Sequence, residues 1–223
     1  MFFNSNKEND DSFWISYADL MTCVMIIFVF LIFSMIMYHK TTETTEKFNK
    51  SKIKETLISK GIMVDDDLNV FVSSDTKNCV YFAQSKSSLN EKEKRILNDF
   101  IPKFIHSIYD DEEVKNSIKE IRIQGYSSTE WSKNSTKQEK YINNMDLSQR
   151  RTLTAVNSIF NNEILRQEFE ENKDLLNWLL QHLTANGFSS SNYVKDANGK
   201  EDKKKSRRIT FSILLNKSES VLK

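Results

Sequence analysis

The apolar residues of this chain form one unbroken block followed by shorter, periodic groups. Residues 20–38, LMTCVMIIFVFLIFSMIMY, contain no charged side chain, and between Trp14 and Tyr38 the only one is Asp19. A helix rises about 1.5 Å per residue, so a run of this length spans a hydrocarbon core of roughly 30 Å. The pattern predicts a single transmembrane helix over residues 14–39, preceded by a short tail at 1–13. A cleaved signal peptide would need a basic leader and an apolar stretch of roughly 7–15 residues. Here the leader NKENDDS is acidic and no A-x-A site follows the block, so an uncleaved anchor is expected.

Residues 40–67 are polar, with sparse apolar positions at Phe48, Ile53, Leu57 and Ile58, which predicts a helical connector. Residues 68–217 carry the periods of a folded domain, and 218–223 form a C-terminal tail. LNVFVSS and NCVYFAQ are short strand patterns rich in Val and aromatics. Ser88 and Glu91 have the spacing of a capping box. It opens a helix whose Ile96, Leu97, Phe100, Ile101, Phe104, Ile105 and Ile108 share one face. Pro102 is expected to kink or divide that helix. EIRIQGYSS alternates like a half-buried strand. MDLSQRRTLTAVNSIF predicts a second helix capped by Asp146 or Ser148, and NKDLLNWLLQHLTANGF a third closed by Gly187. RRITFSILL is the last strand. This order predicts an α+β fold with helices on one side of a small sheet.

Composition then removes several function classes. A formal net charge of +1 over 223 residues argues against a general polyanion binder. The run KKKSRR lacks interleaved aromatics and adjoins Glu201 and Asp202, so a solvated loop is expected there rather than direct nucleic-acid contact. Cys23 and Cys79 lie in different regions and form no disulfide framework; each is expected as a buried thiol. Trp131, Tyr141 and Trp178 are expected in core or rim packing. The three histidines are scattered without HExxH or CxxC, so no metal site is expected. Four glycines leave no Gly-rich phosphate cradle, and no cofactor or enzymatic constellation is expected.

The candidate chemistry is therefore Asp19. An ionisable group at the centre of a spanning helix costs about 2.5–3.5 kcal/mol and is read as functional by default. Asp19 lies five residues beyond Trp14, about 7–8 Å along the helix; at that depth an interfacial acid capping the helix is the plain alternative. Ser12, Ser16, Asp19 and Cys23 follow at spacings of four, three and four, with Thr22 beside them, so small or polar groups share one face. Such a stripe lets another helix approach closely and shields the acid from lipid. A carboxyl that is protonated while sealed and ionised when open to water can carry a proton. Each charge crossing releases about 2.3 kcal/mol per 100 mV.

The stretch FWISYADLMTCVMIIFVFLIF resembles the N-terminal helix of MotB-type B subunits of bacterial ion-driven stators. Trp14, Tyr17, Ala18, Asp19, Met21 and Thr22 fall on that family's signature. The wording FWISYADLMT is similar in particular to the ZorB subunits of Zorya anti-phage systems. The resemblance implies that Asp19 is the ion-accepting acid, supported by Ser16, Tyr17, Thr22 and Cys23. It also implies an OmpA-like, peptidoglycan-binding domain, and three motifs fit one: GYSS at 125–128, NMDLSQRRT at 144–152 and SRRITF at 206–211. On that resemblance Asn144, Leu147, Ser148, Arg151 and Ser128 occupy the wall-binding positions. There the family uses an Asp and an Arg to grip the ammonium and carboxylate of diaminopimelate. A bidentate Arg–carboxylate contact is strong and geometrically demanding. Ser128 stands where the family has the Asp, and a serine cannot pair with an ammonium as a carboxylate does. Glu130 is a nearby substitute, and TEWSKNSTKQEKYIN is longer than the family's segment. Intact binding and a retained fold with altered wall binding both stay open.

The fold class implied is a single N-terminal transmembrane α-helix plus an α+β OmpA-like periplasmic domain. The implied partners are a second copy of the chain in a homodimer, a multi-spanning MotA/ZorA-like ring subunit, peptidoglycan, and H+ or Na+ as the conducted ion. The implied output is anti-phage defence without enzymatic catalysis by this chain. The location implied is the bacterial inner membrane, with a cytoplasmic N-terminus and a periplasmic domain. Charge counting runs the other way, since Lys7 precedes the helix whereas Lys40, Lys47, Lys50, Lys52 and Lys54 follow it; the motif order is the more specific signal. Two readings remain beside this one: a flagellar or Tol/Exb-type stator subunit, and a non-conducting peptidoglycan anchor in which Asp19 serves only helix association.

Overall fold

The computed structural model describes residues 5–72, 80–132 and 134–216. They fall into two compact units, the first holding residues up to Phe48 and the second Asn49–Lys217. Cys79 and the side chains of Ser12 and Ser16 lie outside the described residues.

Helix α1, Ser5–Ser59, begins in the first unit and ends in the second. Among the described residues, Tyr17–Lys40 is the one helical stretch long and apolar enough to cross a membrane, with a mean hydropathy of 2.8. Its large side chains are exposed on every side, from Val24 at 41% to Phe30 at 70%. A helix apolar all round has no polar face to turn to water, and hydrocarbon is the solvent that suits it. The last turns of α1 are different, because Ile53 and Leu57 are buried in the core of the second unit. Gly61 ends this segment in the left-handed region at φ +80°. Ile62 N–H donates to Leu57 O at 2.9 Å, the bond pattern of a Schellman motif.

Six strands form the sheet: β1 (Met63–Val64), β2 (Asn69–Phe71), β3 (Val80–Tyr81), β4 (Ile118–Gly125), β5 (Leu183–Gly187) and β6 (Arg208–Leu215). Their order is β1-β2-β6-β4-β5, with β3 also pairing β6. Only β4 and β5 run parallel, and a parallel pair needs a long crossover. The crossover here carries α4 (Lys137–Phe160), α5 (Glu163–Glu171) and α6 (Lys173–His182). Earlier in the chain, α2 (Glu91–Tyr109) and α3 (Glu112–Ser117) join β3 to β4, and the short α7 (Lys203–Ser206) precedes β6. Ile121 and Ile123 of β4 and Ile209, Phe211 and Ile213 of β6 are buried, while Glu120, Arg122 and Gln124 point to the half-exposed face. Period-two burial on strands meets the buried stripe of α2, where Phe100 and Phe104 pack on Phe211 with ring centroids 5.4 and 5.9 Å away. The fold is the α+β arrangement expected.

Four local expectations are corrected. Helix α2 is capped by Asn90, whose side chain accepts from Glu93 N–H at 2.8 Å, rather than by Ser88. Pro102 does not divide it. The carbonyl that proline cannot serve, Asn98 O, accepts instead from Asn162 Nδ2 at 3.0 Å. Asn162 also caps the unforeseen α5, so one buried side chain mends one helix and starts another. Helix α4 begins before Asp146, at a reciprocal capping box between Thr136 and Glu139. Gly187 does not close a helix but ends β5, paired with Gly125.

Candidate functional site

Two places in the chain hold a charged group in apolar surroundings. The first is the span. Asp19, Thr22 and Cys23 follow at the three- and four-residue spacings that share one helix face, and Asp19 and Cys23 are both exposed. Cys23 was expected as a buried thiol; among the described residues nothing covers it. Thr22 Oγ1 donates to Ala18 O at 2.8 Å, which satisfies the hydroxyl within the helix and leaves a small surface beside Asp19. Tyr17 lies edge-on to Trp14 at 6.3 Å between ring centroids, an amphipathic pair of the type found at membrane interfaces. Ser16 belongs to the same helix.

The second place is the end of the sheet where β4 and β5 finish and β6 begins. Helix α4 lies directly on two glycines there. A Cβ on Gly125 would come 2.3 Å from Ser148 O, and one on Gly187 would come 2.7 Å from Gln149 N and Ser148 Oγ. This close approach is why the partner positions Gly125 and Gly187 lack side chains. Beyond the strands the ladder continues into the GYSS segment. Tyr126 N–H donates to Arg208 O at 2.8 Å and Ser127 N–H to Ser189 O at 2.7 Å. Ser148 Oγ donates to Met145 O at 2.8 Å and accepts from Ser189 N–H at 3.0 Å. Leu147 is half-buried on the same turn.

Arg151 is fully buried at this point. Its Nε donates to Lys86 O at 3.0 Å and its Nη2 to Ala83 O at 3.3 Å. Its Nη1 donates to Tyr126 O at 3.0 Å and Ser127 Oγ at 3.2 Å. The guanidinium also lies over the Phe82 ring, 5.1 Å from the centroid. Arg151 thus ties three segments together: its own α4, residues 82–86 and residues 126–127. Among the described residues no carboxylate pairs with it. Burial, and secondarily the charge of Arg207, pull its pKa down to about 10, so it remains a cation at neutral pH.

Ser128 is buried, and its hydroxyl lies 3.5 Å from the carboxylate of Glu130. Asn144 is buried too; its carbonyl accepts from Ser127 Oγ at 3.3 Å, and its Nδ2 reaches Glu130 O at 3.5 Å. Four of the five wall-binding candidates are therefore buried around one point, with Leu147 at its edge. Glu130 is held by Lys203 Nζ at 2.8 Å and Arg207 Nη1 at 3.2 Å. Arg207 is largely buried and donates from Nε to Phe82 O at 3.2 Å, so half of the KKKSRR run is not a solvated loop. Thr129 N–H donates to Glu201 at 2.9 Å. These contacts were not foreseen; the one signal for them was a dense cationic run and an acid, Glu130, in an inserted segment. Trp178 is buried, whereas Trp131 and Tyr141 lie exposed, the latter on α4.

Residues 81–207 match the OmpA family. The chain is similar along nearly all its length to Zorya protein ZorB of Escherichia coli (strain ATCC 8739, Crooks), with 27% identity covering 94% of this chain and 91% of that protein. A Zorya protein ZorB from Escherichia coli O139:H28 (strain E24377A) is 28% identical, covering 92% and 80%. Among solved structures, a putative MotB like protein from Desulfovibrio vulgaris aligns at 14% identity with a TM-score of 0.44, covering 79% of this chain and 98% of that one.

Proposed function

We start from the fact that this chain belongs to the OmpA family, and we propose that it is the B-type subunit of an ion-driven inner-membrane motor serving anti-phage defence. The observation that carries the reading is Asp19, the one charged side chain between Trp14 and Tyr38, on a helix exposed all round. An acid in such a span is retained for a task that uses its charge. Asp19 takes up a proton from the periplasmic side and releases it toward the cytoplasm. A second copy of the chain and a ring of multi-spanning subunits cover the small-residue face around it. The likeness to two ZorB proteins supports defence as the output.

The folded domain lies in the periplasm and holds the motor to peptidoglycan through the sheet-end site. Arg151 supports this half of the reading, as a buried cation whose own chain supplies carbonyls but no described carboxylate. The lysines after the span run against a cytoplasmic N-terminus, and the OmpA-family match outweighs that bias. The deciding experiment is Asp19→Asn in cells carrying the whole system. Protection from phage should be lost while the chain stays in the membrane and still co-purifies with its ring subunit. Full protection by that variant would leave Asp19 as a helix-association residue and the protein as a non-conducting anchor.

A further inference from the structure

We infer that the sheet-end site is a carboxylate receptor that does not require a free ammonium on its ligand. The inference rests on the wall-binding reading above and specifies which wall peptides it admits. To hold a zwitterionic head, a site must offer an unengaged acid beside its arginine. Position 128 offers a hydroxyl, buried and 3.5 Å from Glu130. Glu130 is the acid beside that hydroxyl, and each of its oxygens already faces a cation. Oε1 faces Lys203 Nζ at 2.8 Å and Oε2 faces Arg207 Nη1 at 3.2 Å.

The surrounding contacts hold it there. Asn144 Nδ2 reaches the Glu130 carbonyl, and Thr129 N–H donates to Glu201. An incoming ammonium would have to share Glu130 with Lys203 and Arg207, and would then sit among like charges. The balance stays positive: of the two acids, Glu130 faces Lys203 and Arg207 and Glu201 is held by Thr129, while Arg151 lies behind them close enough to feel the Arg207 charge. Opposite charge favours an ionised ligand group, so the surplus here recruits a carboxylate and gains nothing from an amine.

The chemical consequence concerns cross-linking. In a cross-linked stem peptide the side-chain amine of the diamino acid is already an amide, while a carboxylate remains. A site that reads only the carboxylate grips cross-linked and free stems alike, whereas one that needs the ammonium is confined to free stems. Specificity is the difference between two affinities, and here that difference should be close to nil.

The test titrates the full-length chain in detergent with two probes by calorimetry. One is a disaccharide-tripeptide with a free diaminopimelate amine; the other is the same compound acetylated on that amine. Their dissociation constants should agree within about twofold. Ser128→Asp should create a preference of about tenfold for the free amine. Glu130→Gln releases Lys203 and Arg207, and should tighten both probes equally. A wild-type preference of about tenfold for the free amine, or selective loss of the free-amine probe in Glu130→Gln, overturns the inference and leaves the wall-binding reading standing. Failure of both probes and of whole sacculi to bind overturns that reading, and the inference falls with it.

Discussion

Residues 17–40 and the unit Asn49–Lys217 use the same side chains in opposite ways. In the first, Ile26, Phe28 and Phe30 expose 61–70% of their surface; in the second, Leu57, Ile105 and Ile121 expose none. Each region also holds one charged group that its apolar neighbours do not explain. Arg151 is enclosed by its own chain and donates to Ala83, Lys86 and Tyr126 carbonyls and the Ser127 hydroxyl. Asp19 is exposed, and on the function proposed above its covering comes from other chains. A buried charge needs partners wherever it is. The difference between the two regions is that one encloses its charge within its own unit and the other leaves it exposed.

The largest effect should come from breaking the enclosed half. Arg151→Met leaves the carbonyls of Ala83, Lys86 and Tyr126 without their donor, and each buried unsatisfied group costs about 1–3 kcal/mol. We expect a loss of about 3–5 kcal/mol in urea unfolding of the domain, with no wall fragment present. Asp19→Asn on the same measurement should change nothing. A loss below about 1 kcal/mol for Arg151→Met would mean the cage does not hold the three segments together.

Much of this contrast was legible in the sequence, because burial in lipid and burial in a core leave different periods. The span was visible from an unbroken apolar run. The stripe of α2 and the alternation of β4 and β6 were visible from repeats of three to four and of two residues. Less legible was anything decided by a contact distant in sequence. Gly187 has the local look of a helix end, and only its pairing with Gly125 and the pressure of Ser148 make it a strand residue. Thr136 and Glu139 have the capping-box spacing that Ser88 and Glu91 also have, and nothing local tells the pair that caps a helix from the pair that does not. Glu130 could be named from sequence as a nearby acid. Its capture by Lys203 and Arg207 depends on the chain returning 73 and 77 residues on, which no local pattern records.

The next effect locates the boundary between the two regions within one helix. Leu57 and Leu31 both belong to α1, but Leu57 is fully buried and Leu31 is 56% exposed. Leu57→Ala removes apolar contact and leaves a cavity, so the domain should lose about 2–5 kcal/mol. Leu31→Ala should leave domain unfolding unchanged, because its surface meets lipid rather than core. Equal effects of the two substitutions would show that α1 is not divided as described.

The smallest effect should come from the ion pairs beside Leu57. Lys50 pairs with Asp67 at 2.9 Å, Lys52 with Glu113 and Lys54 with Asp66. All three pairs are exposed, and such pairs contribute little because water screens them and ordering long side chains opposes them. Replacing all three lysines with Gln should shift the urea midpoint far less than Leu57→Ala, and added salt should shrink the difference further. The hydrogen bond and charge of Lys54 hold the Asp66 carboxyl below its ordinary value of 3.8. A depressed carboxylate stabilises the fold above its unfolded pKa, and that contribution is lost as pH falls through the folded value. The wild type and the triple variant should therefore differ slightly at neutral pH and converge on acidification below 3.8. These lysines are also three of the five that follow the span. A reporter fused to the N-terminus should show the same cytoplasmic location in both proteins. A triple variant as unstable as Leu57→Ala would show that charge, rather than Ile53 and Leu57, fixes the end of α1 to the domain.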